Sequence, residues 1–503
     1  MSVAGINAKI SGSMQSASPK DLWKFDGGGD VGNFEVLVDT FYKSFSDSVF
    51  PFSFAGKYTP AARKFQSTTG ALDLGEMGKF KASGDAQLGD ARRQTYAQLN
   101  MRMNAEKVNV GNLFEEIGQQ ALSEVSPAFR DSVLGGMVST DFRLGLRDKR
   151  WTAAGTFAMA DGRVALDGSK LVVESLTVRL PFALYFPQNE NQRDAVKFAD
   201  PDFGKIQLQG IKFGPAEIPS LAVDVALKEN ALRARGPIPI ALFDGKVTVS
   251  DIQGENLLGR SAALTTSALV EGMDVGQITT KLGLPEVLGR LDARFPAVRL
   301  GADALEAEGA AEIRIFGGAV SGTRLGIEEP FSPVRTFRGD LTFKDIDLSQ
   351  VTETLKFGRI TGVMEGSVKG LEISQGQAAA FVADFETVPR KRVPQTINFD
   401  AVQNITILGT GQGFQATLGR GFASFFDEFK YRKIGFYCSL KNDNFRMKGK
   451  VVQGETEYFV KGIMLGPSIN VINRNPGQTV SFKSMLERIS RVKREKGSEE
   501  SGE

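Results

Sequence analysis

Two short phrases constrain this chain most. "MDVGQITTKLG" (Met273 to Gly283) returns as "IDLSQVTETLK" (Ile346 to Lys356), at an offset of 346 − 273 = 73 residues. With that offset fixed and no gaps, Gly236 meets Gly309, Ile240 meets Ile313, Leu242 meets Ile315 and Phe243 meets Phe316. Downstream, Asp274 meets Asp347, Gln277 meets Gln350, Gly289 meets Gly362 and Leu300 meets Ile373. Glycines and apolar positions that recur at one step mark stacked copies of a single supersecondary unit. A chain of 503 residues has room for several.

The repeated phrase reads as a helix start. Asp274 and Asp347 have the chemistry of N-caps, with Gln277 and Gln350 three residues on to complete capping boxes. Val275, Ile278 and Leu282, like Leu348, Val351 and Leu355, then share one helical face. "DVGNF" from Asp30 and "NVGNL" from Asn109 repeat the pattern, so Asp30 and Asn109 are expected to cap two further helices. Apolar residues follow the first at Phe34, Leu37, Val38, Phe41 and Phe45.

Between these helices the chain alternates as strands do. In "SLAVDVALKENALRARG", Leu221, Val223, Val225 and Leu227 fall on one face, Glu229 and Asn230 form a turn, and Leu232 and Ala234 return. "LEAEGAAEIRIFGGAV" sets Leu305, Ala307, Ile313 and Ile315 against Glu306, Glu308, Glu312 and Arg314. The pattern predicts a mainly β protein with short helices, an elongated repeating antiparallel sheet curled into an apolar groove, with tandem β-sandwiches as the alternative. Leu221, Val223, Val225, Leu227, Ile313 and Ile315 are the candidate lining residues. Aromatic usage, 37 Phe against 7 Tyr and 2 Trp, suits a dry interior or acyl-chain lining better than the girdles of a membrane barrel.

Absences narrow the chemistry. There is no histidine, which excludes a histidine base, a His-containing triad and a His-ligated metal within the chain. The one cysteine, Cys438, lies in "IGFYCSL", where a packed thiol is the better reading than a nucleophile. No paired-acid motif can be placed, and "GTGQGF" from Gly409 lacks nucleotide-loop spacing. No catalytic residue, cofactor or metal is therefore expected, and the chain reads as a non-enzyme. A net charge of +2, with no block of like charge before the C-terminal tail, speaks against nucleic acid as a partner. No run of ~20 apolar residues spans a bilayer, and the start lacks the basic and apolar regions of a signal peptide. Towards the end, "GFASFFDEFKYRKIGF" reads as a helix with Phe422, Phe425, Phe426 and Phe429 on one face, and "SMLERISRV" as a second with Met485, Ile489 and Val492.

The unit "GAAEIRIFGGAVSGTRLGIEEPF" followed by "GDLTFKDIDLSQVTETLKFGRITGVMEGSVKGLEI", together with "NVINRNPGQTVSFKSMLERI" (Asn470 to Ile489), resembles the AsmA-like group of bacterial envelope proteins, with its TamB and YdbH branches. The resemblance covers the chain from about Gly236 to the end. It implies degenerate groove units with amphipathic helices over 1–235, repeat units over 236–308 and 309–382, a capping region over 383–490 and a charged tail over 491–503. It also implies conduction of phospholipid between inner and outer membranes, with envelope assembly by recruitment of β-rich outer-membrane proteins as the alternative. The expected partners are phospholipid and inner- and outer-membrane or envelope proteins. The expected location is the periplasm, with a tether to the inner membrane through a segment outside this chain, since the family's N-terminal anchor is not seen here.

Overall fold

The computed structural model describes residues 2–4, 7–16, 22–38, 41–89, 96–119, 123, 130–166, 170–186, 197–255, 262–301, 303–330, 332, 334–410, 427–464, 468–473 and 476–486. The protein is mainly β, with about 70 % of residues in strands and 11 % in helices. It divides into two units: residues 1–240 with 249–266 and 331–333, and residues 241–248 and 267–330 with 334–503.

In the first unit, antiparallel strands pair mostly with the next strand in the chain, from Asn7–Gln15 through Gln98–Asn109 and Leu171–Phe186 to Ala216–Lys228. The second unit repeats the scheme from Gly289–Leu300 through Ala304–Ile315, Gly318–Glu328, Thr336–Asp347 and Val363–Ser374 to Gln377–Val388. A meander follows when successive strands are joined by tight turns. The turns carry that chemistry: Glu229 and Asn230 both have positive φ (52° and 61°), as do Phe243 and Asp244 in one repeat and Phe316 and Gly317 in the other. These runs pair strand to neighbouring strand, without the long return crossovers of Greek-key sandwiches.

Three of the expected caps start helices. Asn109 Oδ1 accepts from Asn112 N–H at 3.2 Å ahead of α1 (Val110–Leu113), which runs on into a π turn, Phe114–Gly118. Asp274 Oδ1 accepts from Gln277 N–H at 3.0 Å ahead of α2 (Val275–Lys281). Asp347 Oδ1 accepts from Ser349 N–H at 2.8 Å ahead of α3 (Leu348–Thr354). The backbone N–H of each Asp donates to the preceding hairpin, Asp274 to Phe243 O and Asp347 to Phe316 O, each at 2.8 Å. Gln277 accordingly does not close a capping box: its side chain donates to Asp244 Oδ2.

Asp30 is a correction. It lies inside the strand Trp23–Val38, whose partner Phe41–Thr59 pairs in register from Trp23↔Tyr58 to Val38↔Phe41. A side-chain cap contributes about 1 kcal/mol, whereas this hairpin adds a ladder of backbone hydrogen bonds and cross-strand contacts along its length. The local helix signal gives way to it. Phe429 is a second correction: it is buried in the strand Glu428–Lys441, not on a helix, while Phe422, Phe425 and Phe426 lie outside the described residues, as do Ile489 and Val492.

Candidate functional site

Register converts the alternation into rows that cross the strands. In the first unit one row runs Trp23, Tyr58, Phe65, Ala86, Leu99, Leu146, Trp151, Phe186, one residue from each of eight adjacent strands. A second row on the same face, beyond an intervening row that includes Thr68, Gly84, Met101, Leu144, Ala153 and Leu184, runs Gly27, Phe54, Gly70, Ala82, Met103, Phe142, Gly155, Phe182. A third runs Val108, Val138, Met159, Val178, Ile206, Val223. The expected lining residue Val223 therefore ends a six-strand apolar row. Leu221 opposes Leu208, Leu227 opposes Leu232, and Val225 lies between Gly204 and Ala234, 5 % exposed.

In the second unit Ile313 belongs to the row Leu291, Ile313, Val320, Phe343, Gly366, Phe385, Phe436. Beside it runs Ala293, Ala311, Gly322, Leu341, Val368, Ala383, Cys438. Ile315 is flanked by Gly289 and Gly318, and a Cβ at Gly289 would come within 2.5 Å of Ile315 Cγ2. Gly366 has a like role: a Cβ there would sit 2.3 Å from the Phe385 ring, so glycine is what lets that ring lie flat along the strip. Phe385 is 5.0 Å from Phe343 and 5.6 Å from Phe436, ring centre to ring centre.

The opposite face is chemically distinct. One residue along each strand from the Ile313 row, the sequence reads Asp292, Glu312, Ser321, Thr342, Ser367, Asp384, Tyr437. Its charges are paired: Lys450 Nζ meets Asp384 at 2.5 Å and Glu386 at 2.9 Å, and Lys433 meets Glu386 at 3.0 Å. Hydrogen bonds from Lys450 and Lys433 hold the Glu386 carboxyl below its ordinary range. On the polar face of the first unit, Arg102 forks onto both oxygens of Asp141, whose carboxyl is lowered by that contact. A shallow depression of about 520 Å³ includes this pair with Lys81 and Asn104. Twist gives each face of a sheet a concave diagonal, so a hollow on the polar side is compatible with an apolar strip on the other.

Most side chains of the apolar rows are half-buried. Closed cores lie elsewhere among the described residues. One gathers Phe45, Phe50 and Met77. A larger one joins Ile397, Ala401, Val402, Tyr431, Phe459 and Val460, and another sets Met485 with Phe482 against Ala383, Cys438 and Leu440. The second unit's strip thus ends under residues 482–486. Burial pushes the Cys438 thiol up to about 12, which leaves it protonated and inert.

Sequence reasoning missed the helix α4 (Phe399–Thr410), although Asn398 Oδ1 caps Ala401 N–H at 3.0 Å and Ala401, Val402 and Ile405 recur at helical spacing. Among the described residues no group of three or more Cys, Asp or Glu is placed to hold a metal ion, and no helix is long and apolar enough to cross a membrane. Comparison with known protein families, curated proteins and solved structures gives no match.

Proposed function

We propose that this chain binds phospholipid acyl chains along its apolar strips and conducts them between the inner and outer membranes, without catalysis. The observation that carries the reading is the pair of eight-strand rows from Trp23 to Phe186 and from Gly27 to Phe182, apolar or glycine at every position on one face. Holding two acyl chains in water costs on the order of 20 kcal/mol, at roughly 0.8 kcal/mol per CH₂. A carrier lowers that cost with unbroken apolar surface; reactive groups add nothing. Half-buried side chains supply such a surface, because a closed core has no room for a chain and a fully wet face has no affinity.

The periplasm is the compartment this reading requires. The AsmA-like resemblance of the 73-residue units supports the same reading. Extraction of the purified protein followed by lipid mass spectrometry tests it: phospholipid above the level carried by a β-rich control protein is expected. A lipid-free preparation from a lipid-replete host would overturn the proposal.

A further inference from the structure

The two repeats build the same helix and return loop. Thr279 Oγ1 accepts from Val287 N–H at 3.1 Å in one, and Thr352 Oγ1 accepts from Ile360 N–H at 3.3 Å in the other. The 73-residue step sets Leu282 on Leu355, Leu284 on Phe357, Val287 on Ile360 and Leu288 on Thr361.

The covers differ. In the second repeat Ile360 is 5 % exposed and bridges to Ile397, Thr361 N–H donates to Thr396 O at 2.9 Å, and Asn398 N–H donates to Arg359 O at 2.9 Å. α4 then lies over the loop: Asn404 Nδ2 donates to Phe357 O at 2.9 Å, and Phe357 packs on the core that holds Ala401, Val402 and Ile405. In the first repeat Leu284 and Leu288 are 55 and 78 % exposed, whereas Leu282, at 55 %, differs little from its counterpart Leu355, at 47 %. Among the described residues no strand pairs with 285–288. Leu284 and Leu288 thus stand out of five residues at the two positions where the second repeat has Phe357 packed on a core and Thr361 paired to Thr396.

We infer that segment 282–288 is a docking edge for a partner protein, which supplies one short apolar strand running into an N-capped amphipathic helix. The second repeat displays the chemistry of that cover in the segment Thr396–Ile405. Strand addition at the edge formed by Glu286 and Leu288 would provide backbone hydrogen bonds, and apolar residues of the helix would cover the leucines. A second copy of this chain is a poor occupant, since its own strand and helix are committed to a core in which Ile397 and Ala401 are fully buried.

The test uses the full chain and a fluorescent peptide with the sequence of residues 394–405, PQTINFDAVQNI. Saturable binding of one peptide per chain is expected, weakened at least roughly tenfold by Leu284→Glu with Leu288→Glu and unchanged by Leu269→Glu. A peptide with Asp in place of the Ile397 equivalent should not bind. The substituted leucines are solvent-exposed, and circular dichroism checks the fold; the single variant Leu288→Glu repeats the test should the double variant not fold. Absence of saturable binding, binding indifferent to the leucine substitutions, or a dimer of this chain that the same substitutions dissolve would each overturn the inference. It stands apart from lipid conduction: a chain that carries lipid but not peptide overturns this inference alone.

Discussion

Within the second unit, the strip from Leu291 to Phe385 and the core around Phe459 use the same kinds of side chain and end differently. Phe459, Val460, Ile397 and Ala401 are 1 % exposed or less, closed by strands and α4. Phe343 and Ile313 stay half-buried on the sheet, and Phe385 is half-buried where the strip meets the core of Ala383, Cys438 and Met485. Alternation makes a dry face; whether that face becomes core depends on a second layer arriving from elsewhere in the chain.

The largest expected effect lies in the core. Phe459→Ala should lose about 3–5 kcal/mol of unfolding free energy, from lost transfer energy and the cavity left behind. Ile313→Ala, on the strip, should lose roughly 1 kcal/mol, since its side chain is already partly solvated. Denaturant titration of both variants measures the gap, and equal losses would mean that the strip is core after all.

Gly366→Ala comes next. The new methyl meets the Phe385 ring at 2.3 Å and Asp384 O at 2.5 Å, and the strain should be on the order of 2 kcal/mol. Adding Phe385→Leu should recover part of it, because a ring contact yields where a backbone contact does not.

The caps should show smaller effects. Asp274→Ala and Asp347→Ala should each cost about 1 kcal/mol despite the different covers over their repeats, while Asp30→Ala, exposed in a strand, should stay within a few tenths. Thermal melts of the three variants check this ordering.

The smallest effect concerns pH. Glu386 is held below its ordinary value of 4.5 by Lys450 and Lys433. Its contribution is therefore fully present above that value and is lost as pH falls through the lower folded-state value. Glu386→Gln should lower stability at neutral pH by a few tenths of a kcal/mol, the size of a partly exposed ion pair, and match the parent at low pH, so that the acid limb below about pH 4.5 flattens.

What could be read from the sequence was whatever local chemistry decides. The caps at Asn109, Asp274 and Asp347 and the turn at Glu229 and Asn230 depend on residues within a few positions, and the 73-residue step exposed the repeats. The hairpin that swallows Asp30 depends on a partner up to 35 residues away, Trp23 against Tyr58, which outweighs a one-residue cap signal. The capping glutamines failed for a related reason: the hairpin turns at Phe243 and Phe316 reach the cap N–H groups first. The apolar rows required register, which alternation alone does not supply, because a bulge such as the one between Ala307 and Ala310 resets it.

The most direct test of the central claim compares the two faces of single strands. A photoreactive residue placed at Val223 or Ile313 should crosslink to phospholipid in cells, and the same residue one position on, at Asp224 or Arg314, should not. Crosslinks of equal yield from both faces, or none from Val223 and Ile313, would contradict the account.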